Sequence, residues 1–161
     1  MNSPAYWRSV AAVLMALGLM STAVCAAESE IDPVAATIDL YARMSARDLP
    51  GLLRYVPAAG LTEIAPGAPG PRTLEPSAFE ALFNSDLSIA LHAEDVRIQR
   101  YGDAAVVTGL RVGTVGPKAA SSPDERDPFT MVWTRDVSGW RLRHVHVSAA
   151  QHEPARPATR D

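Results

Sequence analysis

The stretch that most constrains the fold lies near the C-terminal end. Phe129 to Arg135 and Trp140 to Ser148 are alternating runs joined by Asp136-Val137-Ser138-Gly139. Aspartate at the first turn position and glycine at the fourth predict a β-hairpin closed by a left-handed glycine. A three-residue loop of Val137, Ser138 and Gly139 sets Asp136 opposite Trp140, and counting outward by two sorts the side chains onto two faces. One carries Trp140, Leu142, His144, His146 and Ser148 with Thr130, Val132 and Thr134; the other carries Arg141, Arg143, Val145 and Val147 with Phe129, Met131, Trp133 and Arg135. Neither face is fully polar. Such a sheet needs cover on both sides, with helices on one and a second subunit on the other.

The rest of the chain supplies the helices first and further strands after them. Asp32-Pro33 places a capping residue before a proline at the first helical position, and Val34, Ile38, Tyr41 and Met44 or Ser45 follow near helical spacing, which predicts a helix from about Asp32 to Arg47. Leu49, Leu52, Leu53 and Val56 form a second short stripe, ended by Pro57 and Gly60. Leu61 to Ala65 suits a short strand, Pro66 to Pro71 a loop, and Pro76 to Asn84 a helix with Phe79, Leu82 and Phe83 on one face. Leu87 to Leu91 and Val96 to Arg100 then alternate as strands before the Gly102-Asp103 turn, and Ala104 to Val115 is a β-rich run. Gly116 to Pro128 is predicted as a long flexible loop. The expected class is α+β, one domain over residues 28–149 with a disordered tail over 150–161.

Residues 1–27 read as a cleaved signal peptide. Arg8 precedes the apolar run Val10 to Met20, and small residues follow at Ser21, Thr22, Ala23, Ala26 and Ala27. The run is shorter than a membrane-spanning helix requires, so no membrane span is expected. Export to the periplasm or the extracellular space follows, with cleavage after Ala26 or Ala27. Cys25, the only cysteine, leaves with the leader, so the exported domain is expected to hold its core without a disulfide. Losing Arg8 leaves 14 basic against 18 acidic residues, a net charge of −4, which weighs against a nucleic-acid partner.

The hairpin Met131-Val-Trp-Thr-Arg-Asp-Val-Ser-Gly-Trp-Arg-Leu-Arg-His-Val-His-Val-Ser148 resembles the closing hairpin of nuclear transport factor 2-like proteins. It is most similar to the association domain of calcium/calmodulin-dependent protein kinase II and its SnoaL-like relatives. Gly60-Leu61-Thr62 with Pro66, the Gly102-Asp103 turn and Arg111 fit the same family in the same order. The resemblance implies a cone: N-terminal helices packed on a strongly curved antiparallel sheet, with a cavity between them. It implies that Arg111 points into that cavity, where Met131 and Val147 stand in place of two further arginines of the kinase domain. It also implies that Trp140, Leu142, His144 and His146 face a homodimer contact.

Strand parity then puts Phe129, Met131, Trp133, Val145 and Val147 on the cavity wall, with Arg111 as its main polar group and Tyr41 as a hydrogen-bond donor from the first helix. Arg111, among apolar neighbours, must be paired or used; Asp39 and Glu63 are the candidate partners. Asp48 is expected to cap the second helix. His144 and His146 could ligate a metal, but their spacing supplies no third ligand, and neither metal nor cofactor is expected. No Ser-His-Asp set, phosphate loop or Cys-His pair appears in residues 28–161. Three functions stay open, in decreasing order: binding of a small, largely apolar ligand, a non-catalytic dimerisation or interaction module, and an isomerase- or hydratase-type enzyme acting through Glu63 or Asp39.

Overall fold

The computed structural model describes residues 31–117 and 126–149. The expected leader with Cys25, the tail over 150–161 and the middle of the expected loop lie outside the described residues.

Helix α1, Pro33–Ala46, starts where Asp32 Oδ1 accepts the Val34 N–H at 2.7 Å. Its buried stripe is Pro33, Ala36, Thr37, Leu40 and Tyr41, rotated from the expected one so that Ile38 is 50% exposed. Small Ala36 and Thr37 let the helix approach the sheet closely, and the Thr37 hydroxyl is satisfied by the Pro33 carbonyl at 2.8 Å. Arg47 ends the helix in the left-handed conformation at φ 54°. Its guanidinium donates to the carbonyls of Phe83, Ser85 and Leu87, fastening the helix end to the entry of the long strands. Helix α2, Leu49–Leu53, is capped as expected, the Gly51 N–H donating to Asp48 Oδ1 at 3.0 Å.

Strand β1, Leu61–Ile64, pairs antiparallel with β2, Arg72–Leu74, a strand the proline- and glycine-rich sequence did not reveal. Helix α3, Pro76–Phe83, follows. The two strands expected between Leu87 and Arg100 are one, β3, Leu87–Tyr101, interrupted by a bulge between Glu94 and Arg97 where Asp95 takes φ 51°. Strand β4 is Ala104–Pro117, β5 is Arg126–Asp136 and β6 is Gly139–Val147. Together they form one six-stranded sheet in the order β2-β1-β6-β5-β4-β3, with β1 parallel to β6 and all other pairs antiparallel. A bulge bends a strand and raises its twist. At Gly109 the backbone carbonyl of Glu94 and the ring of Phe129 would lie 2.8 and 2.9 Å from a Cβ, so only glycine admits the crossing there.

The helices cover one face. The core joins Leu40 and Tyr41 of α1 and Leu52 of α2 to Phe129, Met131, Trp133, Val145 and Val147. On the opposite face Val106, Leu110 and Val132 are half-buried.

The hairpin corrects the expected faces. Near the turn Asp136 pairs with Gly139, Arg135 with Trp140 and Trp133 with Leu142, leaving a two-residue loop; beyond it Val132 pairs with His144 and Thr130 with His146. The register therefore slips by one at Arg143. Trp140 and Leu142, expected on the dimer face, lie in the core at 8% and 2% exposure. The cause is tertiary: the Leu142 N–H donates to the Tyr55 carbonyl at 2.9 Å and the Arg141 guanidinium to the Arg54 carbonyl, so the turn after α2 docks on β6 where β1 has not yet begun to pair. His144, half-buried, and His146, exposed, remain on the outer face.

Candidate functional site

The inner-face residues expected around Arg111 are together. Phe129, Met131, Trp133, Val145 and Val147 are each at most 8% exposed. Phe129 meets the Tyr41 ring edge-on with centroids 5.7 Å apart. Into this apolar setting β4 brings Arg111 and α1 brings Tyr41.

Arg111 is paired with neither expected partner. Its guanidinium binds Asp127, the residue directly across the β4–β5 ladder. The Arg111 side chain is 19% exposed and that of Asp127 only 5%, so the pair is largely withdrawn from water, where each charge depends on the other. Sequence reasoning missed Asp127 because Pro128 was read as loop. The signal was present: Asp127, Phe129, Met131 and Trp133 continue one period-two series, and proline is tolerated near the start of a strand. Glu63 instead accepts from Arg72 Nε at 2.7 Å.

Asp39 belongs to a separate network on the helix side. It accepts from Tyr55 Oη at 2.7 Å and from Arg43 Nε at 3.2 Å, and Arg43 Nη1 also reaches Asp48 Oδ2 at 2.6 Å. Burial alone would raise the Asp39 carboxyl, but the hydrogen bonds from Tyr55 and Arg43 outweigh it and hold the group below the usual range. Burial and the bond to Asp39 push the Tyr55 hydroxyl up to about 12.

Two buried polar atoms here have no hydrogen-bond partner among the described residues: Tyr41 Oη and Arg111 Nε. Burial raises the Tyr41 hydroxyl well above the ordinary tyrosine range, with Arg111 opposing and Glu63 and Asp127 adding to the effect, so all three charges act on that hydroxyl. The Trp133 indole N–H is a third such atom, in the layer where Tyr55 meets Trp133 edge-on at 5.8 Å. Buried donors without acceptors are uncommon and ask for an explanation. Chemically, Tyr41 and Arg111 offer N–H and O–H donors to an acceptor or an acid within an apolar wall. Two surface grooves open near the hairpin turn, and neither is lined by these residues. Among the described residues no group of three His, Cys, Asp or Glu side chains is placed to hold a metal, and no helix is long and apolar enough to cross a membrane.

Residues 77–151 match the family model of the calcium/calmodulin-dependent protein kinase II association domain. Comparison with curated proteins gives no match. Among solved structures, the S. rosetta kinase II hub is 24% identical over 73% of this chain and 95% of its own, with a TM-score of 0.57. A nuclear transport factor 2-like protein of unknown function in nutrient uptake from Rhodospirillum rubrum is 24% identical over 70% and 93%, with a TM-score of 0.58. A putative dehydratase of the nuclear transport factor 2-like family from Streptomyces avermitilis is 18% identical over 71% and 90%, with a TM-score of 0.56.

Proposed function

Because the chain has the nuclear transport factor 2-like fold, we propose that it serves as an exported binding domain for a small, largely apolar molecule with one acceptor or acid group. The observation that supports this reading is the pair of buried donors, Tyr41 Oη and Arg111 Nε, that have no partner among the described residues and sit within one apolar wall. A ligand oxygen would satisfy both, and an apolar body would lie against Phe129, Met131 and Val145. The partial exposure of Arg111 gives the polar end of the site a route from solvent. An acid-base enzyme is the weaker reading. The carboxylates it would act through are already engaged, Asp39 by Tyr55 and Arg43 and Glu63 by Arg72, so neither is poised as a base toward a ligand at Arg111.

Thermal melts of the exported chain with a panel of hydrophobic carboxylic acids test the proposal. At least one acid should raise the melting temperature, because a ligand that binds only the folded state stabilises it by mass action. Tyr41→Phe should keep the fold and abolish most of that rise. A wild-type melt unmoved by any acid would sink the binding reading.

A second reading is favoured by the match of residues 77–151 to an association domain and by the half-buried Val106, Leu110 and Val132 on the outer sheet face. On it, the chain is an interaction module that self-associates through that face, beside His144 and His146.

A further inference from the structure

The turn end of the β5–β6 hairpin carries positive charge that the proposed function does not use. Arg54, just past α2, and Arg141 line a groove of about 630 Å3 together with Ile31, Tyr55, Val137 and Trp140. Arg141 and Asp136 also border a neighbouring groove, on which Arg143 stands. A concave volume of this size is within the range of small-molecule sites.

Among the described residues Asp136 is the only acidic one lining either groove, and it does not neutralise the arginines. Its Oδ1 accepts the Ser138 N–H at 2.8 Å within the turn, while its Oδ2 stays 3.7 Å from Arg141 Nε and 3.8 Å from Arg143 Nη2. Those distances exceed a hydrogen bond, and such exposed pairs are weak. Arg54 makes no side-chain hydrogen bond or ion pair among the described residues; its charge is felt only at a distance, by Asp39, Asp48 and Tyr55. Arg135 adds charge on the same rim but has contacts of its own and is not needed for the site. Arg54, Arg141 and Arg143 against Asp136 leave a local surplus of positive charge on a chain whose net charge is −3.

The geometry points to a second site here, for a small organic dianion with an apolar body, such as a phosphate monoester or a dicarboxylate. The charged head lies beside Arg54 and Arg141, whose planar guanidinium groups match phosphate and carboxylate oxygens. Arg143, held by Thr134 through its Nε, adds charge from the adjoining groove. The apolar body lies along Ile31, Val137 and Trp140. A nucleic acid is disfavoured because the basic residues form one cluster rather than a stripe and the chain as a whole is acidic.

Phenyl phosphate is the probe, titrated into the exported chain by calorimetry, with tryptophan fluorescence followed in parallel in a Trp133→Phe background so that the signal is that of Trp140. Binding is expected, with inorganic phosphate weaker and neutral benzyl alcohol silent. Arg54→Gln should weaken phenyl phosphate about tenfold, the loss of one charge-assisted contact. It should change the melt only slightly, because its side chain acts on the rest of the protein through its charge at a distance, on Asp39, Asp48 and Tyr55 alone. Tyr41→Phe, which alters only the interior donors, should leave the affinity intact, so failure of this site and failure of the interior one are separable. The assignment is overturned if phenyl phosphate does not bind at millimolar concentration, or if Arg54→Gln and Arg143→Gln both leave its affinity unchanged. Loss of binding in Tyr41→Phe would place the ligand in the interior instead. Inorganic phosphate binding as tightly as phenyl phosphate would remove the apolar body from the proposal. Retention on anionic vesicles without any phenyl phosphate binding would replace the small ligand with a lipid surface.

Discussion

At the residue scale the Arg111–Asp127 pair decides what a mutation can reveal. Removing Arg111 would take the paired guanidinium from a carboxylate that is 5% exposed, and breaking a pair so withdrawn from water by deleting one partner destabilises by up to about 3–5 kcal/mol. Arg111→Met should therefore lower stability in denaturant melts, by less than that where the other contacts of Asp127 offset the loss. Arg111→Met combined with Asp127→Asn should recover part of it, since the carboxylate that lost its guanidinium is neutralised too. A double variant no more stable than the single one would show that the Asp127 charge is not what the loss of Arg111 destabilises. Met131→Arg is a companion test on the same wall. Met131 is 1% exposed between Val107 and Val145, so a guanidinium there meets no partner and should cost several kcal/mol.

At the element scale the short link between α1 and α2 fixes the helical layer. Asp48 caps α2 and also receives Arg43, so its carboxyl is held below the usual range by the Gly51 N–H first and by Arg43 second. Asp48→Ala should lower stability through the lost N-cap. Gly51→Ala should cost more than that, although helix propensity alone favours alanine, because its Cβ would collide with Asp48 Oδ2 and force the cap apart. Chemical denaturation of both variants checks the order. The opposite ranking would mean that the Asp48 side chain swings away easily and that the cap matters little.

For the whole molecule, protonation and assembly are the measurable outcomes. Asp39, Asp48 and Glu94 have carboxyls below their ordinary values, Glu94 through His92 first and Arg126 second. A depressed carboxyl contributes stability that is present above its unfolded value, about 4, and is lost as pH falls through the folded one. Tyr55 is the converse. Its folded value of about 12 exceeds the unfolded value of about 10, so its contribution is full below about pH 10 and lost as pH rises through 12. The melting temperature should hence be flat near neutrality and fall on both limbs. Because the Tyr41 hydroxyl is raised further still by burial, Tyr55→Phe should flatten the alkaline limb only in part. Self-association through the outer face predicts a dimer by light scattering at high micromolar concentration. Val132→Arg, on that face between Val106 and His144, should give a folded monomer. A wild-type monomer at the same concentration would argue against this interface.

Much of the architecture was legible because its causes are local. Asp32-Pro33 and Asp48 act on N–H groups two or three residues away, so caps and helix starts can be read directly from neighbours in the chain. The period-two series from Phe129 to Trp133 and the pair Val145 and Val147 fix an inner face for the same reason. Other features depend on groups distant in sequence. The Tyr55 carbonyl takes the Leu142 N–H, and that contact accompanies the slip that turns Trp140 and Leu142 inward. Strand register alone set Arg111 opposite Asp127 rather than near Asp39. Sequence by itself thus determined most of the helices and strands, though not β2 or the start of β5, and which stretches are apolar enough to be covered. The tertiary structure alone decided which face Trp140 presents and which acid Arg111 meets, because a hydrogen bond or ion pair between distant residues exists only once the chain has brought them within about 3 Å of each other.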